Sequence, residues 1–238
     1  MNADDGSMKN KFLRSGLWLG IASALLRSME LVRSIILARL LLPEVFGLMG
    51  ILHLLRQGIA HFTQMSFGDA IIYRDTKIDE SVNTAWILSI IRGLLLFALL
   101  YFLSPVISSF YGEDVLDVAI KVLAVIFIFE GFSNTYMILY RKNIEFKKIA
   151  ILNLVTDFLG IIIVITLAYY LRNIWALLFG TLFSSFTRML LSYYITEKKP
   201  RLVFDKHLAC EMFHYSKYIK RAGILDLLTT MLYDGLVG

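Results

Sequence analysis

With one cysteine, Cys210, in 238 residues, the chain cannot close an internal disulfide or build a cysteine-rich metal site. That lone thiol sits near a helix start and reads as structural filler. Charge is scarce as well: Asp, Glu, Lys and Arg make up 18% of the chain, against about 25% in soluble domains. There is no phosphate-binding glycine loop, no His–Glu–x–x–His, no nucleophile elbow and no paired cysteine motif. Connections between apolar blocks are short and leave no room for a soluble catalytic domain. The expectation is therefore a protein that is not an enzyme and that uses no cofactor and no metal.

What is abundant is apolar, 58% of the residues, and it arrives in blocks of the ~20 residues needed to cross ~30 Å of hydrocarbon. The fold class expected is all-α and integral to a membrane. The first block, residues 17–42, is too long for the ~7–15 residue core of a signal peptide and is interrupted by Arg27, Glu30 and Arg33. Pro43 and Glu44 open a second helix, since proline suits the first helical turn and a carboxylate there favours the dipole. That helix runs to about residue 72, and further spans are predicted at 84–110, 115–139, 149–171 and 174–196, with a seventh from 213 to the end.

The basic residues fall in alternate loops. Lys9, Lys11 and Arg14, then Arg74 and Lys77, then Arg141, Lys142, Lys147 and Lys148, then Lys198, Lys199, Arg201 and Lys206 occupy one set. The opposite set holds only Arg39 and Arg172, with no Lys or Arg in 108–117. The positive-inside rule makes the first set, and the amino terminus, cytoplasmic. The formal charge of +5 is thus explained by topology, and no nucleic-acid partner is expected.

Ionisable side chains within the spans need a reason, because each costs ~2.5–3.5 kcal/mol at the bilayer centre. On the first helix Gly16, Gly20, Ser23, Arg27, Glu30 and Ser34 recur at steps of three or four, on one face. Either this face is a structural seam with an Arg27–Glu30 pair, or it borders water. The second helix repeats the pattern with His53, Gln57, His61, Gln64 and Gly68, with Arg56 close by. His53 and His61 are too far apart along the helix for a simple metal site.

Glu130 continues with Asn134 and Arg141 at helical spacing, Asp157 lies between Asn153 and Gly160, and Arg188 follows Gly180 and Ser184. Arg92 and Lys121 are further isolated charges. Candidate lumen residues are therefore Arg27, Glu30, Arg33, His53, Arg56, Gln57, His61, Arg92, Glu130, Asp157 and Arg188. Arginine's fixed fork suits phosphate better than lysine's point charge. Tyrosine and tryptophan cluster at block ends, as interfacial anchors do.

Several stretches resemble one family. Residues 32–47, VRSIILARLLLPEVFG, and 65–86, MSFGDAIIYRDTKIDESVNTAW, are similar to the first helix connections of polysaccharide transporters in the multidrug/oligosaccharidyl-lipid/polysaccharide exporter superfamily. Residues 138–160, ILYRKNIEFKKIAILNLVTDFLG, and 173–182, NIWALLFGTL, look like their fourth-to-sixth-helix region. The likeness is closest to Wzx-type flippases of the lipopolysaccharide and teichuronic-acid export branch.

It implies two six-helix lobes around a cavity with alternating access, in a bacterial inner membrane. The implied cargo is a polyprenyl-pyrophosphate-linked oligosaccharide, moved without bond making or breaking. A glycan polymerase and glycosyltransferases are the implied partners besides the bilayer. Alternatives are a drug or cation exporter of the same superfamily and a membrane enzyme of glycan assembly, a polymerase or ligase.

On this reading residues 1–14 are a cytoplasmic segment, 15–196 a six-helix lobe, 197–212 a cytoplasmic linker and 213–238 the start of a second lobe. The rest of that C-terminal lobe is expected to be missing from this chain. A faint repeat, Phe12–Ser15 with Phe213–Ser216 and Val32–Ile35 with Tyr233–Leu236, supports the division. The 238 residues alone are not expected to transport.

Overall fold

The computed structural model describes residues 3–63, 77–212 and 214, and every regular element among them is helical. In chain order these are α1 (Ala3–Leu40), α2 (Pro43–Thr63), α3 (Ile78–Tyr111), α4 (Val115–Phe132), α5 (Met137–Lys142), α6 (Phe146–Leu171) and α7 (Ile174–Ile195). Residues 206–212 form a further short helix. The expected extension of α2 to residue 72, the seventh span and the second copy of the repeat lie outside the described residues.

The helix ends follow from local chemistry. Pro43 begins α2 and Glu44 sits in its first turn, as the sequence suggests. Helix α3 ends where Gly112 takes φ 69°: its N–H reaches the Ser109 carbonyl and that of Glu113 the Ser108 carbonyl. This is a left-handed glycine termination that satisfies orphan carbonyls. Within α3, Pro105 has no N–H to offer the Tyr101 carbonyl. The Ser104 hydroxyl lies 3.0 Å from that carbonyl and 2.7 Å from Asp117 Oδ1, and donates to either. Asn173 starts α7 by accepting the Trp175 N–H at 3.1 Å.

Two differences from the sequence expectation have physical causes. Helix α1 begins at Ala3 rather than near residue 15, because the polar segment contains no proline and its early aspartates suit a helix start. Helix α4 stops at Phe132 rather than residue 139. Asn134 breaks it: its Oδ1 accepts the Tyr136 N–H at 2.9 Å, and its amide bonds Thr196 Oγ1 and the Lys198 carbonyl. Its own N–H donates to Ser192 Oγ at 2.9 Å. An asparagine that captures nearby backbone competes with helix, so Glu130 and Asn134 do not share one continuous helical face.

Two hairpins make the frame, α3 on α4 and α6 on α7, with α4 also against α7. Both crossings are made by glycine. A Cβ on Gly93 would collide with the Phe127 carbonyl, and one on Gly131 would stand 2.7 Å from that of Ser89. Gly160 abuts Ser184, and Gly180 abuts Val164, on the second pair. Small residues let membrane helices approach this closely.

Leu52, Leu100, Leu116, Ile120, Leu123, Phe127 and Leu178 fill the main core. Helix α1 lies along α6, whereas α2 lies against α4 and α7. Consecutive in sequence, α1 and α2 are splayed in space.

The outside of this bundle is apolar. Helices α3, α6 and α7 are long and apolar enough to cross a membrane, and only 28% of each apolar window is buried within the protein. Phe102, Leu95 and Val106 on α3 remain 77%, 65% and 64% exposed. Contiguous apolar surface on this scale is what lipid covers, and the chain is an all-α integral membrane protein. Helices α1 and α2 are more polar and carry Arg27, Glu30, Arg33 and Arg56, whereas α4 is apolar apart from Asp117, Lys121 and Glu130.

At one end of the bundle the segment after α7 is strapped down. Lys198 Nζ contacts both Asp79 carboxylate oxygens at 2.9 Å, the Arg201 N–H donates to Asn83 Oδ1, and that of Asp205 to Thr84 Oγ1. Asp205 then caps the helix of 206–212 by accepting the N–H groups of His207 and Leu208. Ala209 and Met212 pack on Val82, Ala85 and Tyr136.

Candidate functional site

The splay between α1 and α2 opens a cavity of about 630 Å³, with α4, α6 and α7 as its other walls. From α1 come Glu30, Arg33 and Ser34, from α2 His53 and Arg56, from α4 Glu130, from α6 Thr156 and Asp157, and from α7 Thr181, Ser184, Ser185 and Arg188. Three ion pairs run around it. Arg33 Nη1 meets Glu30 Oε1 at 2.9 Å, Arg56 Nη2 meets Glu130 Oε1 at 2.8 Å, and Arg188 Nη2 lies 3.6 Å from Asp157 Oδ1. Arg188 Nη1 also donates to Asn153 Oδ1 at 2.9 Å. The cavity thus holds three guanidinium groups and three carboxylates.

Seven of the eleven sequence candidates line this space: Glu30, Arg33, His53, Arg56, Glu130, Asp157 and Arg188. Arg92 does not. It lies in an adjoining cavity of about 60 Å³ between α3 and α4, which Glu130 also lines. There its Nε and Nη2 donate to Thr63 Oγ1 at 3.3 and 3.1 Å.

Arg27 and Gln57 are exposed and outside the cavity lining. The His61 side chain lies outside the described residues. The Arg27–Glu30 pair is corrected: Glu30 binds Arg33 instead. Both partners are three residues away, but Glu30 on the amino-terminal side of its arginine is the orientation the helix dipole favours. Lys121 is held by Asp117 at 2.8 Å and stands apart from the cavity.

Residues the sequence reading passed over are the hydroxyls Thr156, Thr181 and Ser185. Their signal was spacing: Asn153, Thr156, Asp157 and Gly160 share a face of α6, as Gly180, Thr181, Ser184, Ser185 and Arg188 do on α7. Both Thr156 Oγ1 and Arg33 Nε are buried atoms without a hydrogen-bond partner. An unsatisfied Thr or Arg atom is costly in low dielectric, so α1 and α6 each carry one uncompensated polar atom in the cavity wall.

The basic residues of one loop set gather at the end where the strap lies. Lys148 sits 4.2 Å from the Tyr140 ring centre and Lys147 5.3 Å from that of Trp18, and the Tyr140 hydroxyl donates to the Ile195 carbonyl. Tyr136, buried there beside Asp79, has its phenol pushed up to about 12, first by burial and then by the Asp79 charge.

Residues 36–238 match the model of a family described as polysaccharide biosynthesis protein. The chain is 26% identical over 156 residues to a teichuronic acid biosynthesis protein of Bacillus subtilis, covering 65% of this chain and 32% of the relative. It is 22% identical over 228 residues to a lipopolysaccharide biosynthesis protein of Escherichia coli, covering 95% and 46% respectively. A succinoglycan biosynthesis transport protein of Rhizobium meliloti is 22% identical over 195 residues, covering 82% and 39%. The chain therefore spans between a third and a half of the length of these relatives. No solved structure matches it.

Proposed function

Because the chain belongs to the polysaccharide biosynthesis protein family, matched over 36–238, we propose that it supplies the amino-terminal lobe of a flippase. The cargo is a sugar repeat carried on polyprenyl pyrophosphate, moved across a bacterial inner membrane for surface polysaccharide assembly. The observation that carries this reading is the 630 Å³ cavity with Arg33, Arg56 and Arg188 in its wall, inside a bundle whose outer surface is apolar. A pyrophosphate finds bidentate donors there, sugar hydroxyls find Ser34, Thr181, Ser184 and Ser185, and the prenyl tail stays in lipid.

All six long helices cross the bilayer in this reading, with the amino terminus and the strap of 197–205 cytoplasmic. A second lobe closes the cavity's open side, and rocking of the two lobes gives alternating access. The lobe works by positioning and exposing the lipid-linked substrate, and no covalent step is assigned to it.

The test is surface glycan in a flippase-deficient strain carrying the full-length protein with single substitutions. Arg56→Ala and Arg188→Ala are expected to lower surface glycan at unchanged membrane abundance, with Lys restoring part of it because it lacks the planar fork. Wild-type glycan from a stably expressed Arg33→Ala, Arg56→Ala, Arg188→Ala triple variant would overturn the assignment.

A further inference from the structure

We propose that Glu130 is an exchangeable counter-ion, held by Arg56 in this conformation and handed to Arg92 when an anion takes Arg56. The inference rests on the flippase reading above. It starts from a difficulty in the site itself: each cavity arginine already has a carboxylate. An anion arriving at Arg56 displaces Glu130, and a displaced carboxylate beside a pyrophosphate repels it.

The structure holds an alternative partner in reach. Glu130 lines both the large cavity and the 60 Å³ cavity that contains Arg92. The Arg92 guanidinium has a neutral hydroxyl, Thr63 Oγ1, as its acceptor, and among the described residues no carboxylate is paired with it. The charge that acts on it among the described residues is that of Glu130, felt through space without ion-pair contact, so this guanidinium stays under-compensated until that carboxylate turns to it.

The backbone there is fixed for such a transfer. Gly93 follows Arg92, Gly131 follows Glu130, and these two glycines are where α3 and α4 touch backbone to backbone. The exchange therefore needs side-chain rotation into an existing void, without separation of α3 from α4. Its mechanical result is specific: an ion pair that ties α2 to α4 becomes one inside the α3–α4 hairpin, and α2 keeps only its core packing and the Thr63 contact to Arg92. Arg92 is on this account a positioning residue, which sets the affinity of Arg56 for anions through Glu130 and touches no substrate.

The experiment is a double-mutant cycle on the full-length protein in detergent, with farnesyl pyrophosphate as the probe and calorimetric Kd as the readout. Each variant is first checked for monodisperse elution. Removing the competing carboxylate, Glu130→Gln, is expected to tighten binding about tenfold, and Arg92→Gln to weaken it about tenfold, within the usual range for coupled neighbours. In the Glu130→Gln background, Arg92→Gln is expected to change Kd by less than about twofold, since there is no charge left to hand over.

An equal loss from Arg92→Gln in both backgrounds would overturn the exchange and leave the flippase reading intact. Failure of the unaltered protein to bind the probe would instead remove both. Should Arg92→Gln not fold, Arg92→Lys replaces it. A cation that still receives Glu130 keeps Kd within about twofold of the unaltered value, and a tenfold loss that persists in the Glu130→Gln background overturns the proposal.

Discussion

Replacing Gly93 by alanine tests the α3–α4 crossing directly, because the added methyl meets backbone and not a side chain that could rotate away. Its Cβ would lie inside contact distance of the Phe127 carbonyl oxygen, 3.2 Å from the carbonyl carbon and 3.4 Å from Gly131 Cα. Overpacking costs about 1–3 kcal/mol, and rigid neighbours put this site near the top of that range. Alanine in a helix interior recovers ~1 kcal/mol relative to glycine, leaving a net loss of ~2 kcal/mol. Gly58→Ala is the matched control: nothing lies within 4 Å of its added Cβ, so a gain of ~1 kcal/mol is expected. The gap of ~3 kcal/mol between the two is measurable by unfolding in mixed micelles with increasing dodecyl sulfate, followed by circular dichroism. Adding Gly131→Ala to Gly93→Ala is expected to cost less than the sum, because one separation of the helices relieves both clashes. A Gly93→Ala protein as stable as Gly58→Ala would refute the close crossing.

Three further expectations concern the bundle's ends. In a Cys210→Ser background, a cysteine at Glu113 is expected to react with an impermeant maleimide from outside intact cells and one at Asn143 only after permeabilisation; the reverse labelling inverts the topology. The raised Tyr136 phenol, about 12, stabilises the fold fully below the unfolded value near 10, and this contribution is lost as pH rises from about 10 to about 12. A pH titration of unfolding in which Tyr136→Phe leaves that decline unchanged would contradict the buried phenol. Ile144 sits at φ 58°, closing α5 with the Glu145 N–H on the Tyr140 carbonyl; Ile144→Gly is expected to stabilise by ~0.5–1 kcal/mol, and loss of stability would count against this turn.

The six long helices were legible because apolar block length and a proline–glutamate start are local signals. What decides the site is not local. The Arg56–Glu130 pair joins residues 74 apart, and no periodicity in α2 or α4 announces it. The early end of α4 is set by Asn134 finding partners on and after α7, some 60 residues away in the chain, so propensity alone extends the helix too far. The separation of Arg92 from the main cavity likewise depends on the glycine crossing.

The matched charges in the cavity wall have a kinetic meaning. Three guanidinium groups each facing a carboxylate cancel at distances beyond a few ångströms, so this wall projects little field into solution. An anion is not drawn to such a site from afar, and raising ionic strength, which shortens a Debye length of about 8 Å at physiological salt, removes little from its approach. Discrimination is left to contact, where a forked donor meets the geometry of the group in front of it. On the proposed function, a lobe built this way ignores the cell's abundant small anions until one of them fits.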